Sequence, residues 1–145
     1  MIFLPRIERK LGIESTPQKI FKIVTDGFKT PKWNPVISDV IEIEDNKIRL
    51  DTDLGSFTIM DIETEENKIA IWHMEKSDVH SIGYILDPKT KGTDVKIWAE
   101  FEDKKLAKSY KKTADLMLEG LKNYVNFIED GGDPAHFNKW NLITP

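Results

Sequence analysis

The chain has 145 residues, of which 39% are hydrophobic and 32% charged, with a formal net charge of −4 and no cysteine. That length fits one domain with a real core, burying roughly 70% of its unfolded surface. The missing cysteines exclude disulfides, thiolate catalysis and cysteine-ligated zinc, the acidic balance argues against a dedicated nucleic-acid binder, and no apolar run approaches the roughly 20 residues that span a bilayer.

The N-terminus brings its first charge at Arg6, too early for a signal peptide, so a cytoplasmic location is expected. Residues 6–13 then alternate. Ile7, Leu11 and Ile13 share one side, Glu8 and Lys10 the other, which is a first strand, with Arg9 on the apolar parity. Thr16 and Pro17 start a helix, threonine as N-cap and proline at the first helical position. Ile20, Phe21, Val24 and Phe28 give it a short apolar face, and Gly27 and Pro31 end it. The stretch 28–35 is a second short helix or a compact loop. Trp33 there is either a plug at a corner of the fold or the wall of a ligand pocket.

From Val36 the pattern changes to strands, over 36–44, 47–53, 56–64, 68–76, 79–86 and 93–102, separated by short turns such as Asp45-Asn46. Such a succession is an antiparallel meander. Phe57, Ile59 and Asp61 fall on one face of their segment. In 68–76, Ile69, Ile71, His73 and Glu75 oppose Ala70, Trp72 and Met74, and both sets are bulky enough to face a core. His80, Ile82, Tyr84 and Leu86 share a face, as do Val95, Ile97, Ala99 and Phe101.

Residues 103–129 form a long amphipathic helix. Leu106, Tyr110, Ala114, Met117, Leu121, Tyr124, Val125 and Ile128 recur at spacings of three and four. At 1.5 Å per residue the helix is about 40 Å long and needs a partner of similar size. Asp103 is its expected N-cap and Gly131 its C-cap; Gly120 inside it allows a kink or a close approach to the sheet. The tail 131–145 carries Phe137, Trp140 and Leu142, too apolar to stay wholly in water, so part of it should dock.

The order of elements, with the Thr16-Pro17 helix start and the Trp33-Asn34-Pro35 segment before the second strand, resembles the helix-grip fold of the START and birch-pollen-allergen superfamily (SRPBCC), which includes polyketide cyclases, dehydratases and lipid-transport-like proteins. The likeness covers about residues 6–130, with residues 1–130 taken as one helix-grip domain and 131–145 as a tail. It implies an α+β fold, a curved antiparallel sheet wrapped around the long C-terminal helix with two short helices after the first strand. It also implies a cavity between sheet and helix for a small hydrophobic or amphipathic ligand of lipid, polyketide or aromatic type. The superfamily has no universal catalytic motif to carry over.

Under that likeness the expected cavity wall is Trp33, Ile59, Ile71, His73, Tyr84, Ile97, Met117, Leu121 and Tyr124. If His73 and Glu75 face inward, burial moves an imidazole and a carboxylate toward neutrality, and with Asp61 they become candidate acid–base residues of a cyclase or dehydratase. If Trp72 and Met74 face inward instead, His73 and Glu75 lie in water. A carrier or sensor is preferred to an enzyme; a protein-interaction module of START-like type is the third reading. His73 or His80 with Asp61 or Glu75 lacks the spacing of a known metal motif, so no metal and no cofactor are expected. Lys104, Lys105, Lys108, Lys111 and Lys112 crowd the start of the long helix, where cations oppose the helix dipole. They mark a candidate cavity entrance and a weak contact with an acidic membrane surface. The expected assembly is a monomer or homodimer.

Overall fold

The structure, a computed structural model, describes residues 3–44 and 46–140. Strand β1 spans Arg6–Ile13, followed by helices α1 (Pro17–Val24) and α2 (Thr30–Trp33), linked by a 3-10 turn at Gly27–Lys29. Strands β2 (Ile37–Glu44), β3 (Lys47–Thr52), β4 (Gly55–Glu65), β5 (Ile69–Glu75), β6 (Val79–Lys89) and β7 (Gly92–Phe101) follow. Helix α3, Ala107–Glu129, closes the order. All strand pairs are antiparallel, in one seven-stranded sheet of order β1-β7-β6-β5-β4-β3-β2. The meander therefore runs from β2 to β7, and β1 pairs with its last strand. This is the helix-grip α+β arrangement.

Local chemistry sets the ends of the elements. The Thr16 side chain accepts from the Lys19 N–H and Pro17 fills the first position of α1. Asp103 accepts from the Lys105 N–H, so it caps a 3-10 turn at Lys104–Leu106 that leads into α3. At the far end Gly131 has φ +91°, its N–H bonds Ile128 O, and Gly132 N–H bonds Phe127 O. That pair of bonds is a Schellman cap, which needs a left-handed residue and so favours glycine. In the turn between β2 and β3, Asn46 has φ +64°; Asp45 lies outside the described residues.

The concave face of the sheet is apolar and α3 lies across it. Ile7, Ile13, Leu86, Val95, Ile97 and Phe101 are buried there against Tyr110, Ala114, Leu118, Leu121 and Val125 of the helix. Arg9, on the apolar parity of β1, reaches Asp115 of α3 through two hydrogen bonds of 2.8 and 2.9 Å. Gly120 does not approach the sheet. A Cβ there would lie 2.4 Å from Pro35 Cδ and 2.9 Å from Trp33 O, so α3 presses its backbone against the corner that follows α2.

The tail docks in part. Phe137 is buried against Tyr124 and Phe127, ring centroids 5.0 and 5.2 Å apart. The Lys139 ammonium donates to three main-chain carbonyls, Pro31 O at 2.6 Å, Asn34 O at 2.9 Å and Ile37 O at 3.0 Å. Trp140 is exposed, and Leu142 lies outside the described residues.

Candidate ligand cavity

A cavity of about 350 Å³ opens between the sheet and the α1–α2 corner. One wall comes from the corner: Val24, Gly27, Phe28, Trp33 and Asn34. The sheet contributes the other: Ile37 and Val40 of β2, Ile48 and Leu50 of β3, Ile59, Ile62 and Thr64 of β4, Trp72 and Met74 of β5, Ile82 and Tyr84 of β6. Met117 of α3 touches it as well, and a smaller apolar annex of about 80 Å³ continues past Met117 toward Ile97. The volume is at the lower end for small-molecule sites. Exposed Asp26, Phe28, Ile62 and Thr64 mark the mouth. The lysines at 104, 105, 108, 111 and 112 do not line the cavity, and all five are exposed. The entrance expected there is thus corrected: the mouth lies between the 3-10 turn after α1 and the β4 strand.

Strand parity decides which candidates reach this space. β4 pairs Ile59 with Met74 and then Asp61 with His73, and the irregularity between those pairs is a bulge. A bulge inserts one residue and reverses the side-chain alternation beyond it. Ile59 therefore faces the cavity, and so do Ile62 and Thr64, whereas Asp61 and Glu63 turn to the convex face. On β5, Trp72 and Met74 line the cavity, which puts Ile71, His73 and Glu75 on the convex face.

His73 and Asp61 do come together there, joined by Glu63, which sequence reasoning did not single out. One ligand atom from each lies within 4.8 Å of the others, and His73 Nε2 is 3.1 Å from Glu63 Oε2. Glu75 pairs with Lys47 at 3.1 Å instead, and His80 with Glu102 at 3.2 Å. The convex face also carries Trp98, stacked under the Arg6 guanidinium at 4.3 Å and packed where a Gly83 Cβ would be. The acid–base pair considered from sequence is therefore on the opposite side of the sheet from the cavity.

Of the other candidates, Trp33, Ile59, Tyr84 and Met117 line the cavity, and Ile97 lines its annex. Leu121 is fully buried in the core and lines neither. Tyr124 stands behind Trp33, its ring stacked at 6.4 Å and 14°, rather than on the cavity itself. Tyr84 is buried edge-on against Trp72, centroids 5.6 Å apart, and burial holds its phenol well above the ordinary tyrosine range. Asn34 was missed. Its polarity reads as a turn residue, and only the three-dimensional corner shows it fully buried.

The sheet, the long helix and the cavity between them make this a START-like helix-grip fold, and solved structures share it. Among solved structures the chain is similar to a START superfamily protein from Mycobacterium smegmatis, with TM-score 0.72 and 16% identity over 85% of this chain and 98% of that one. It is similar to the Zhui aromatase/cyclase from Streptomyces sp. R1128, with TM-score 0.73 and 10% identity over 90% and 100%. It is similar also to Ara h 8.0201, with TM-score 0.59 and 17% identity over 86% and 99%. At these identities the likeness establishes the fold. No family model and no curated protein matches the chain. Among the described residues no helix is long and apolar enough to cross a membrane.

Proposed function

We propose that the chain binds one small hydrophobic or amphipathic molecule, of lipid, polyketide or aromatic type, in this cavity, as a carrier or sensor rather than as a catalyst. The observation that carries the reading is the wall itself. It is built mainly of aliphatic and aromatic side chains from five strands, three helices and the 3-10 turn, with Asp26 at the mouth and Tyr84 as its ionisable groups among the described residues. Affinity in such a site comes from apolar burial, about 25 cal/mol per Å², with a few polar groups to orient the ligand.

A cyclase reading draws on the likeness to aromatase/cyclases. It would require an acid and a base at one point of the cavity. Asp61, His73 and Glu75 sit on the other face, which favours the carrier. The exposed lysines at the start of α3 remain a candidate contact for an acidic membrane surface during delivery.

The test is native mass spectrometry of the purified chain followed by solvent extraction. A bound small molecule that is displaced by 1-tetralone is the expected result. A chain that is empty and takes up neither 1-tetralone nor tetralin would overturn the proposal.

A further inference from the structure

The cavity wall holds two hydrogen-bond donors that the fold leaves unused. Trp33 Nε1 and Asn34 Nδ2 are buried, in residues 1% and 0% exposed, and neither has a partner among the described residues. Every other polar group of Asn34 is occupied. Its backbone N–H donates to Thr30 O at 2.9 Å, its carbonyl accepts from Lys139, and its Oδ1 accepts from the Val36 N–H at 3.0 Å. That last bond fixes which way the amide points, because only the oxygen can accept it. The amide NH₂ is then the end left over.

Buried donors without partners are rare in folded proteins, since each forfeits its bond to water. Two on consecutive residues of the corner that walls one cavity therefore point to something that the cavity receives. The rest of the wall narrows its chemistry. The Thr25 and Thr30 hydroxyls are already spent on Phe21 O and Gly27 O, each at 2.6 Å. The Tyr84 hydroxyl has no hydrogen bond among the described residues and stays protonated because burial opposes its ionisation. Among the described residues the unused donors of the inner wall are thus the two N–H groups and the Tyr84 O–H, while the Asp26 carboxylate and the Thr64 hydroxyl stand at the mouth.

Charge completes the argument. Among the described residues the lining includes no lysine, arginine or histidine, and its one carboxylate, Asp26, stands at the mouth. A carboxylate or phosphate ligand would enter an apolar chamber past a like charge and find no counter-ion. An ammonium ligand brings donors to a wall that already has donors in excess.

We propose that the ligand is a neutral, largely apolar molecule bearing a carbonyl-type acceptor oxygen, as in a ketone, quinone, ester or amide, and that the Trp33 indole N–H and the Asn34 side-chain amide bind that oxygen. The proposal rests on the ligand-binding reading above and specifies it. Both nitrogens are shut from solvent, so the oxygen reaches them by a small shift of the Trp33–Asn34 corner rather than through open space.

The test titrates the full ¹⁵N-labelled chain with 1-tetralone, tetralin and 1-naphthoate: one bicyclic frame with a carbonyl, one without, and a related anion. The expected result is that 1-tetralone moves the Trp33 indole and Asn34 amide proton signals downfield while tetralin, though bound, does not. Asn34→Asp keeps the Oδ1 acceptor and removes the donor. In that variant the affinity ratio of 1-tetralone to tetralin should fall about tenfold, which is about 1.4 kcal/mol. Should that variant fail to fold, the wild-type proton signals still decide. If both neutral probes bind and the two N–H signals respond alike, the acceptor assignment is overturned while ligand binding stands. Tighter binding of 1-naphthoate than of 1-tetralone overturns the neutral-ligand assignment. If nothing binds, the ligand-binding reading itself falls.

Discussion

Two residues show how local geometry reverses a simple reading of propensity or charge. Gly120 sits in mid-helix, where alanine would ordinarily be worth about 1 kcal/mol more. Here the added Cβ would meet the Pro35 ring and the Trp33 carbonyl at 2.4 and 2.9 Å, neither of which is a flexible side-chain end. Gly120→Ala should therefore destabilise the protein by about 1–3 kcal/mol, the usual range for overpacking, as read by chemical denaturation. Tyr110 is the second case. Its hydroxyl donates to Asp78 Oδ2 at 2.7 Å, and its ring packs edge-on against Phe101. Burial first, and then the bond to Asp78, raises its pKa. A raised folded-state pKa means that the associated stability is complete below the unfolded value, about 10, and is lost as pH rises beyond it. Tyr84 acts in the same direction through burial alone. Tyr110→Phe should cost about 1.5 kcal/mol at neutral pH. It should also flatten the alkaline decline measured by urea titrations between pH 8 and 11, leaving the shares due to Tyr84 and Tyr124, whose burial raises them too.

Elements were legible in the sequence where period and punctuation agreed. The Thr16-Pro17 start, the alternation of β1, β6 and β7 and the three-four spacing of α3 each have one physical solution, and the structure adopts it. Faces were less legible. A bulge has no signature in the alternation around Ile59 and Asp61, so a reading by strict parity puts Asp61 inside when the strand has already reversed. On β5 both faces carry large apolar groups, those of the convex face being half-buried, and parity alone could not choose between Trp72 and His73. The docked tail was visible as apolar residues after a diglycine, but its anchor was not. Lys139 reads as an ordinary surface cation, yet it ties three carbonyls of the α2–β2 corner. Bonds to a charged donor are worth about 1.5–3 kcal/mol. Lys139→Met should free the segment after Gly131, seen as earlier cleavage there in limited proteolysis, with α3 still protected. Unchanged cleavage would mean that Phe137 and the Lys32 bond to Ala135 O hold the tail without it.

At the scale of the whole molecule, one arrangement accounts for both stability and the proposed function. The long helix covers the β1–β7–β6 side of the concave sheet with a dry core, in which Leu118, Leu121 and Val125 are at most 2% exposed. It leaves the β2–β5 side to the short helices, and the cavity lies under them. The sheet is therefore closed on one flank and open on the other. The same split explains why Met117 is the residue of α3 that touches the main cavity, while Leu121, one turn on, belongs to the core. The central claim, that a small molecule lodges on the concave face, is tested most directly by a methyl-resolved NMR titration of the full chain with 1-tetralone. Ile59, Ile62, Ile82 and Met117 should shift saturably, while Ile69, Ile71 and Ile85 on the convex face stay in place. Shifts confined to the convex set, or none at saturating probe, would contradict the account.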